Sequence, residues 1–241
     1  MDTCNFSVIV PTMHEEKTIG DSLSSIHEAR RKSKHNVEII IVDGGSRDKT
    51  IDIAKKYTDK ILFHKKRGIA RARNFGAMHA RGEIFTFLDA DVRVPENFFN
   101  ELYDQFVMNG LSGANCRVMP HEEVEPSGFE KSFYVLWHNL RRFFYNIKPC
   151  GTGDNGIIVT KDVFQKVNGF DETLNAIEDL DFVFRASKHG RFAYLKDLTI
   201  HETIRRFRNL GTPRFVMIYL SNFFHYLFFR SSRIKQWKPV R

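Results

Sequence analysis

The sequence predicts an α/β fold: an open, twisted, mostly parallel sheet with helices on both faces, followed by C-terminal amphipathic helices. Three observations lead there. Short β-branched runs alternate with helix-compatible stretches over the first ninety residues, the rhythm of βαβ units with right-handed crossovers. The run Val37–Val42 is almost continuously apolar, as in a strand buried on both faces of a parallel sheet. Acidic residues follow the runs at Asp43 and at Asp89 and Asp91, the strand ends beyond which open sheets bind ligands.

The elements follow in order. Phe6 to Pro11 reads as the first strand, Glu15 to Ser33 as a helix and Val37 to Asp43 as the second strand. Gly44-Gly45-Ser46 turns the chain into a helix over Asp48 to Tyr57. A strand at Lys60–His64, a helix at Ile69–Ala80 and a strand at Ile84–Asp89 complete this half. A helix from Glu96 to Met108 leads to a strand at Ala114–Met119 and an acidic loop containing Glu122, Glu123 and Glu125. Phe129 to Lys148 is a long aromatic helix, expected to pack on the core through Phe133, Leu136, Leu140, Phe143, Phe144 and Ile147. Beyond the loop Cys150–Gly156 come a strand to Thr160, short helices at Lys161–Val167 and Asp179–His189, and a strand at Phe192–Ile200.

Charge divides the chain unevenly. From His201 onward nine basic residues face a single acid, Glu202, so the +8 of the whole chain lies there and residues 1–200 are neutral. A domain at 1–202 with a basic, aromatic segment at 203–241 is the expected organisation. The three cysteines (Cys4, Cys116, Cys150) form no CxxC pair, which favours a reducing, cytosolic setting over disulfides or structural zinc. The first residues show no basic region leading into an apolar run, so no signal peptide is expected.

Asp89-Ala90-Asp91 sets two acids on a turn after a strand. Such a pair can hold a hard divalent cation through oxygen, and the cation can neutralise a diphosphate leaving group. A solvated turn explains D-x-D alone equally well. Asp43 at a neighbouring strand end favours the functional reading.

Five segments then carry a resemblance: Ser7–Ile19, Ile41–Thr50, Gly68–Asn74, Phe87–Asp91 and Ala176–Asp181. In this order they resemble the motifs of family 2 glycosyltransferases of the GT-A fold, over roughly residues 5–205. The resemblance implies inverting sugar transfer from a nucleotide diphosphate donor, with Mg²⁺ or Mn²⁺. It places Pro11, Thr12 and Glu15 (or Glu16) at the nucleoside, and Asp43 as acceptor of a hydrogen bond from the base. Arg73, helped by Arg71, would lie near the donor phosphates. Asp89, with Ala90, would contact the ribose or donor, while Asp91 and His201 would hold the metal. Many members carry an aromatic residue at position 13, where this chain has Met13-His14, so the base stays open between uracil and guanine. GDP-mannose is the donor expected from small relatives that act on lipid-linked acceptors.

Inversion requires a base for the acceptor hydroxyl, and Asp179 in Glu178-Asp179 matches it. The acceptor side is assigned to Gly153, Asp154, Asn155 and Glu178. An already anionic phosphate acceptor has little need of such a base, so a hydroxyl of a lipid-linked glycan or lipid is expected ahead of a polyprenyl phosphate.

Phe215–Phe229, bounded by Arg214 and Arg230, gives a helix of about 22 Å, short of the ~30 Å hydrocarbon core. With Arg233, Lys235, Trp237 and Lys238 beyond it, this segment suits the cytosolic membrane surface, peripheral or monotopic; packing on the domain or on a second subunit is the alternative. Three rival classes are weighed. A nucleotidyltransferase would want a glycine-rich loop after strand one, which Thr12-Met-His-Glu-Glu16 lacks. A nucleic-acid binder is disfavoured because the body is neutral. A noncatalytic membrane adaptor would tolerate loss of Asp179.

Overall fold

A computed structural model describes residues 5–58, 60–64, 68–121, 127–147, 155–204, 208–209 and 211–231. One eight-stranded sheet organises them in the order β3-β2-β1-β4-β7-β6-β8-β5. Strands β1 (Asn5–Thr12), β2 (Asn36–Asp43), β3 (Ile61–Phe63) and β4 (Ile84–Phe87) are mutually parallel. β5 (Val92–Arg93) pairs with β8 (Phe192–Glu202) antiparallel; β6 (Gly113–Pro120) runs parallel to β8, and β7 (Ile157–Thr160) is antiparallel to both β4 and β6.

Two apolar layers sandwich the sheet. On one face α1 (Ile19–Lys32) buries Ile19, Leu23, Ile26 and Ala29 with Val8, Val10, Ile39 and Ile41 of the strands. Helix α2 (Thr50–Ala54) and α4 (Phe98–Leu102) join that layer through Ala54, Phe98, Phe99 and Leu102. On the other face α3 (Ile69–Met78), α6 (Lys161–Lys166) and α7 (Glu178–Ala186) pack around Phe85, Phe87, Phe164, Phe170 and Phe182. Gly76 lets α3 approach closely: a Cβ there would stand 2.5 Å from Ile9 Cγ2 and 2.9 Å from Val42 Cγ2. That contact seats Arg73, one turn earlier, beside the end of β4.

The boundaries differ from expectation at several places. The predicted helix Glu15–Ser33 starts only at Ile19, because residues 13–18 are bound instead to the loop after β2. The predicted Glu96–Met108 helix is α4 followed by a π-helical turn, Tyr103–Val107. β5 was invisible as a two-residue strand, and β8 extends to Glu202 to pair with it.

The long helix α5 (Gly128–Ile147) departs from the expected packing at two positions. It meets the sheet through Tyr134, His138 and Tyr145, whereas Leu136 and Phe143, assigned to the core, are each 60% exposed. Tyr134 and Tyr145 combine burial of their rings with hydrogen bonds to the sheet through their hydroxyls. Helix α8 (Thr212–Phe229) packs Tyr226 and Phe223 on Leu174, Ile177 and Leu180, and exposes Met217, Leu220, Phe224, Phe228 and Phe229. Among the described residues no helix is long and apolar enough to cross a membrane.

Candidate active site

The site lies past the carboxyl ends of β1, β2 and β4. Thr12 and Asp43 are register partners that close β1 and β2, and Pro11 precedes Thr12. Asp43 is 1% exposed. Its Oδ1 accepts from Thr12 Oγ1 at 3.3 Å and Ser46 Oγ at 2.5 Å, and its Oδ2 accepts from the amides of Gly45 and Ser46, each at 2.9 Å. Those four donors fill its acceptor sites. Asp43 therefore folds the turn at 44–46.

The loop after β1 is laced to that turn. The His14 amide donates to Ser46 Oγ (2.9 Å) and the Glu15 amide to Thr50 Oγ1 (2.8 Å), with His14 itself at φ 59. The Glu15 carboxylate accepts from Thr18 Oγ1 at 3.1 Å, next to the start of α1. The expected nucleoside-binding residues thus form a preassembled rim.

Arg73 lies between the β4 end and the start of α7. It is 3% exposed, and its guanidinium donates through Nη2 to Asp89 Oδ1 (3.0 Å) and through Nη1 to Glu178 Oε1 (3.1 Å), 5.3 Å from the Phe170 ring centroid. Each terminal nitrogen engages one carboxylate, so Arg73 joins the β4 end to α7. Arg71 stays half-buried, with Nε 3.3 Å from Glu172 Oε2.

Glu178 and Asp179 open α7, and both are buried. Ile177 before them is left-handed, φ 62 and ψ 17, a conformation that costs a β-branched residue about 1–3 kcal/mol and so marks a turn held for a purpose. The Leu180 amide donates to Asp179 Oδ1 at 2.7 Å. Burial raises the Asp179 carboxyl above the usual range, against the attraction of Arg73. Burial, then the charge of Asp179, pushes Glu178 up to about 7. Burial thus makes both carboxyls of the pair harder to ionise than in water.

Ala90 is buried in the turn between Asp89 and Asp91, which the Val92 amide closes on Asp89 O at 3.2 Å. Thr203 Oγ1 donates to Asp91 Oδ2 at 2.6 Å, which ties the D-x-D turn to the end of β8, where His201 lies opposite Arg93 and Met119. Among the described residues, no three His, Cys, Asp or Glu side chains converge as a metal site on their own. Asp91 and His201 provide one hard oxygen and one imidazole, a donor set that fits a cation whose other ligands come from a diphosphate.

Glu202, beside His201, was missed from the sequence. Its carboxylate accepts from Asn155 Nδ2 at 2.7 Å and from Tyr134 Oη at 3.1 Å, so it joins β8, the chain entering β7 and helix α5. Burial, reinforced by Asp91, raises it to about 7. A signal did exist: Leu198 and Ile200 are buried on alternate positions of β8, and position 202 continues that face with an acid. Gly153 and Asp154 lie outside the described residues, as do Cys4, Cys150, the acidic loop 122–126, residues 65–67 of the basic run after β3, and 232–241 of the tail.

The family model for "Glycosyl transferase family 2" matches residues 7–168, which span β1 to just past α6. The chain belongs to that family. Among curated relatives, the poly(ribitol-phosphate) β-N-acetylglucosaminyltransferase TarS of Staphylococcus aureus (strain Mu50) is 26% identical over 215 residues, covering 83% of this chain and 36% of its own. The minor teichoic acid biosynthesis protein GgaB of Bacillus subtilis is 33% identical over 224 residues, covering 83% of this chain and 23% of its own. The chain thus spans only about a quarter to a third of the length of those relatives. The crystal structure of S. aureus TarS 1-349 superposes with a TM-score of 0.67 at 21% identity, covering 94% of this chain and 73% of that one. A Pyrobaculum calidifontis mannosyltransferase in complex with GDP-Man and Mn²⁺ gives 0.69 at 18% identity, covering 93% and 65%. Both share the GT-A fold with this member of family 2.

Proposed function

We propose that this glycosyltransferase moves a sugar, with inversion, from a UDP-linked donor to a hydroxyl of a lipid-linked glycan or lipid at the membrane surface, with Asp179 as the general base. The observation that carries the reading is the Asp89–Arg73–Glu178 bridge, which brings the donor-side turn of β4 to the acid pair that opens α7. A buried carboxylate whose neighbour also resists ionisation is suited to take a proton from a neutral hydroxyl as its oxygen attacks the anomeric carbon.

The uracil donor is favoured by the sequence similarity to TarS, one of whose crystal structures contains UDP-GlcNAc. GDP-mannose, the donor expected from small relatives that act on lipid-linked acceptors, is the second reading. Thr12 and the 13–16 rim would hold the nucleoside, and Arg71 would face the diphosphate. Asp91 and His201 would hold Mg²⁺ or Mn²⁺, which when bound neutralises charge on the departing diphosphate. Asn155, with Gly153 and Asp154, would meet the acceptor. The apolar outer faces of α5 and α8, with the exposed Arg142, Arg214 and Arg230, support peripheral attachment to an anionic leaflet.

The test pairs a variant with a ligand panel. Asp179→Asn should lower kcat by about 10²- to 10⁴-fold and leave donor affinity within about threefold. Thermal stabilisation by UDP with Mn²⁺ should exceed that by GDP and fall when EDTA is added. Turnover above a tenth of wild type in the variant removes Asp179 from the base role. Stronger stabilisation by GDP reverses the donor, and indifference to EDTA removes the cation.

A further inference from the structure

We propose that Tyr226 is a positioning residue for sugar transfer, and that through it the C-terminal helix α8 belongs to the catalytic machinery. The inference rests on the reading of Asp179 as base.

Asp179 can be aimed only if the first turn of α7 is fixed, and that turn begins on a strained residue. Left-handed Ile177 is unfavourable by itself, so its surroundings must hold it. It is buried in a small apolar cluster separate from the two layers of the sheet: Leu174, Ile177, Leu180 and Tyr226, with Phe223 packed against them. The two aromatic members come from α8, so the segment that aims the acid pair leans on a helix that begins more than thirty residues later in the chain.

A polar contact adds direction to that packing. Tyr226 Oη donates to Asp181 Oδ1 at 2.6 Å, and Asp181 Oδ2 accepts from Arg185 Nε at 2.7 Å. The Asp181 amide donates to Ile177 O at 3.0 Å, so the residue held by Tyr226 is the one that closes the turn over Ile177. Asp179 lies between these two anchors. Arg230 completes the clamp: its Nη1 donates to Tyr226 Oη at 3.2 Å, and its guanidinium stands 5.4 Å from the Phe184 ring centroid and 5.2 Å from that of Tyr226. The hydroxyl thus accepts from Arg230 and donates to Asp181, which fixes its direction. Burial, then the bond to Asp181, raises the phenol to about 12, so it stays a donor at every working pH.

Loss of this hydroxyl leaves α7 helical, because Arg185 still binds Asp181 and also donates to Val167 O and Gly169 O at 2.7 and 2.9 Å. What it frees is the turn at 177–181. A misaimed base costs turnover without weakening the donor, whose rim is built on β1 and β2.

The experiment compares Tyr226→Phe, Asp181→Asn and the double variant in the full chain, with UDP- and GDP-sugar donors and at a temperature where circular dichroism shows each folded. Tyr226→Phe should lower kcat about ten- to a hundredfold with donor KM within twofold, since small displacements of reacting groups cost that much. The double variant should be no slower than the slower single one, as expected of two partners in one bond. Arg230→Gln, at the exposed end of α8, should give a smaller loss of the same kind and carries the test if Tyr226→Phe does not fold. Unchanged kcat in whichever of these is folded, a loss confined to donor KM, or additive effects in the double variant would overturn the proposal. Full activity in Asp179→Asn sinks the base reading instead, whatever Tyr226→Phe does.

Discussion

Helices α1 and α5 both lie on the sheet, yet they meet it with opposite faces. Helix α1 turns Leu23 and Ile26 inward and leaves Arg31 outside. Helix α5 turns inward two phenol hydroxyls and an imidazole, which bind Glu202, Asn115 and Tyr194, and leaves Val135, Leu136 and Phe143 outside. Helix α8 follows α5: Tyr226 reaches Asp181, while Phe224 and Phe228 face outward. The donor-side half is held by apolar burial, which is strong and non-directional. The helices added to the other half, α5 and α8, combine buried aromatic rings with directional hydrogen bonds of modest net strength, and they leave several apolar side chains exposed.

Substitutions on the two helices sharpen that contrast. Leu23→Ala in α1 should cost about 2–5 kcal/mol in denaturant unfolding, as for other buried leucines; a loss below 1 kcal/mol would mean that apolar packing does not set the stability of this half. On α5, Leu136→Asp with Phe143→Asp should reduce binding to anionic liposomes about tenfold, with unfolding free energy within about 0.5 kcal/mol of wild type, as expected of surface positions. Equal flotation of variant and wild type would detach α5 from the membrane. A smaller effect is expected from Tyr145→Phe, which removes the 2.9 Å bond to Asn115 Oδ1 and should cost about 1 kcal/mol. A cost above 3 kcal/mol would make these bonds equal to core packing and erase the contrast.

The smallest effect concerns pH. Glu178 has a folded-state value of about 7 against an ordinary 4.5, so between these values the native state binds more protons than the unfolded one. Its contribution to stability therefore falls as pH rises from about 5 to about 7. Glu178→Gln lacks that ionisation. Its melting temperature relative to wild type should rise between pH 5 and pH 8 in the absence of ligand, measured as the difference between paired melts. A constant difference across that range would show that burial does not raise Glu178.

Much of this molecule was legible in the sequence because its signals are local. Strands β1, β2 and β4 follow from short apolar runs, and the turn at 44–46 from Gly-Gly-Ser after a strand. The acids at 43, 89, 91, 178 and 179 stand out because motif spacing is written along the chain. What escaped depends on groups distant in sequence. Arg73 and Glu178 are 105 residues apart, and only the fold shows that this arginine bridges two carboxylates, Asp89 and Glu178. Tyr134 and Glu202 meet across 68 residues, and Tyr226 and Asp181 across 45. The inward placing of Tyr134, His138 and Tyr145 on α5 escaped for a related reason. Periodicity fixes the angle between a helix's two faces, whereas the sheet, by offering Glu202, Asn115 and Tyr194 as hydrogen-bond partners, decided which face it would receive.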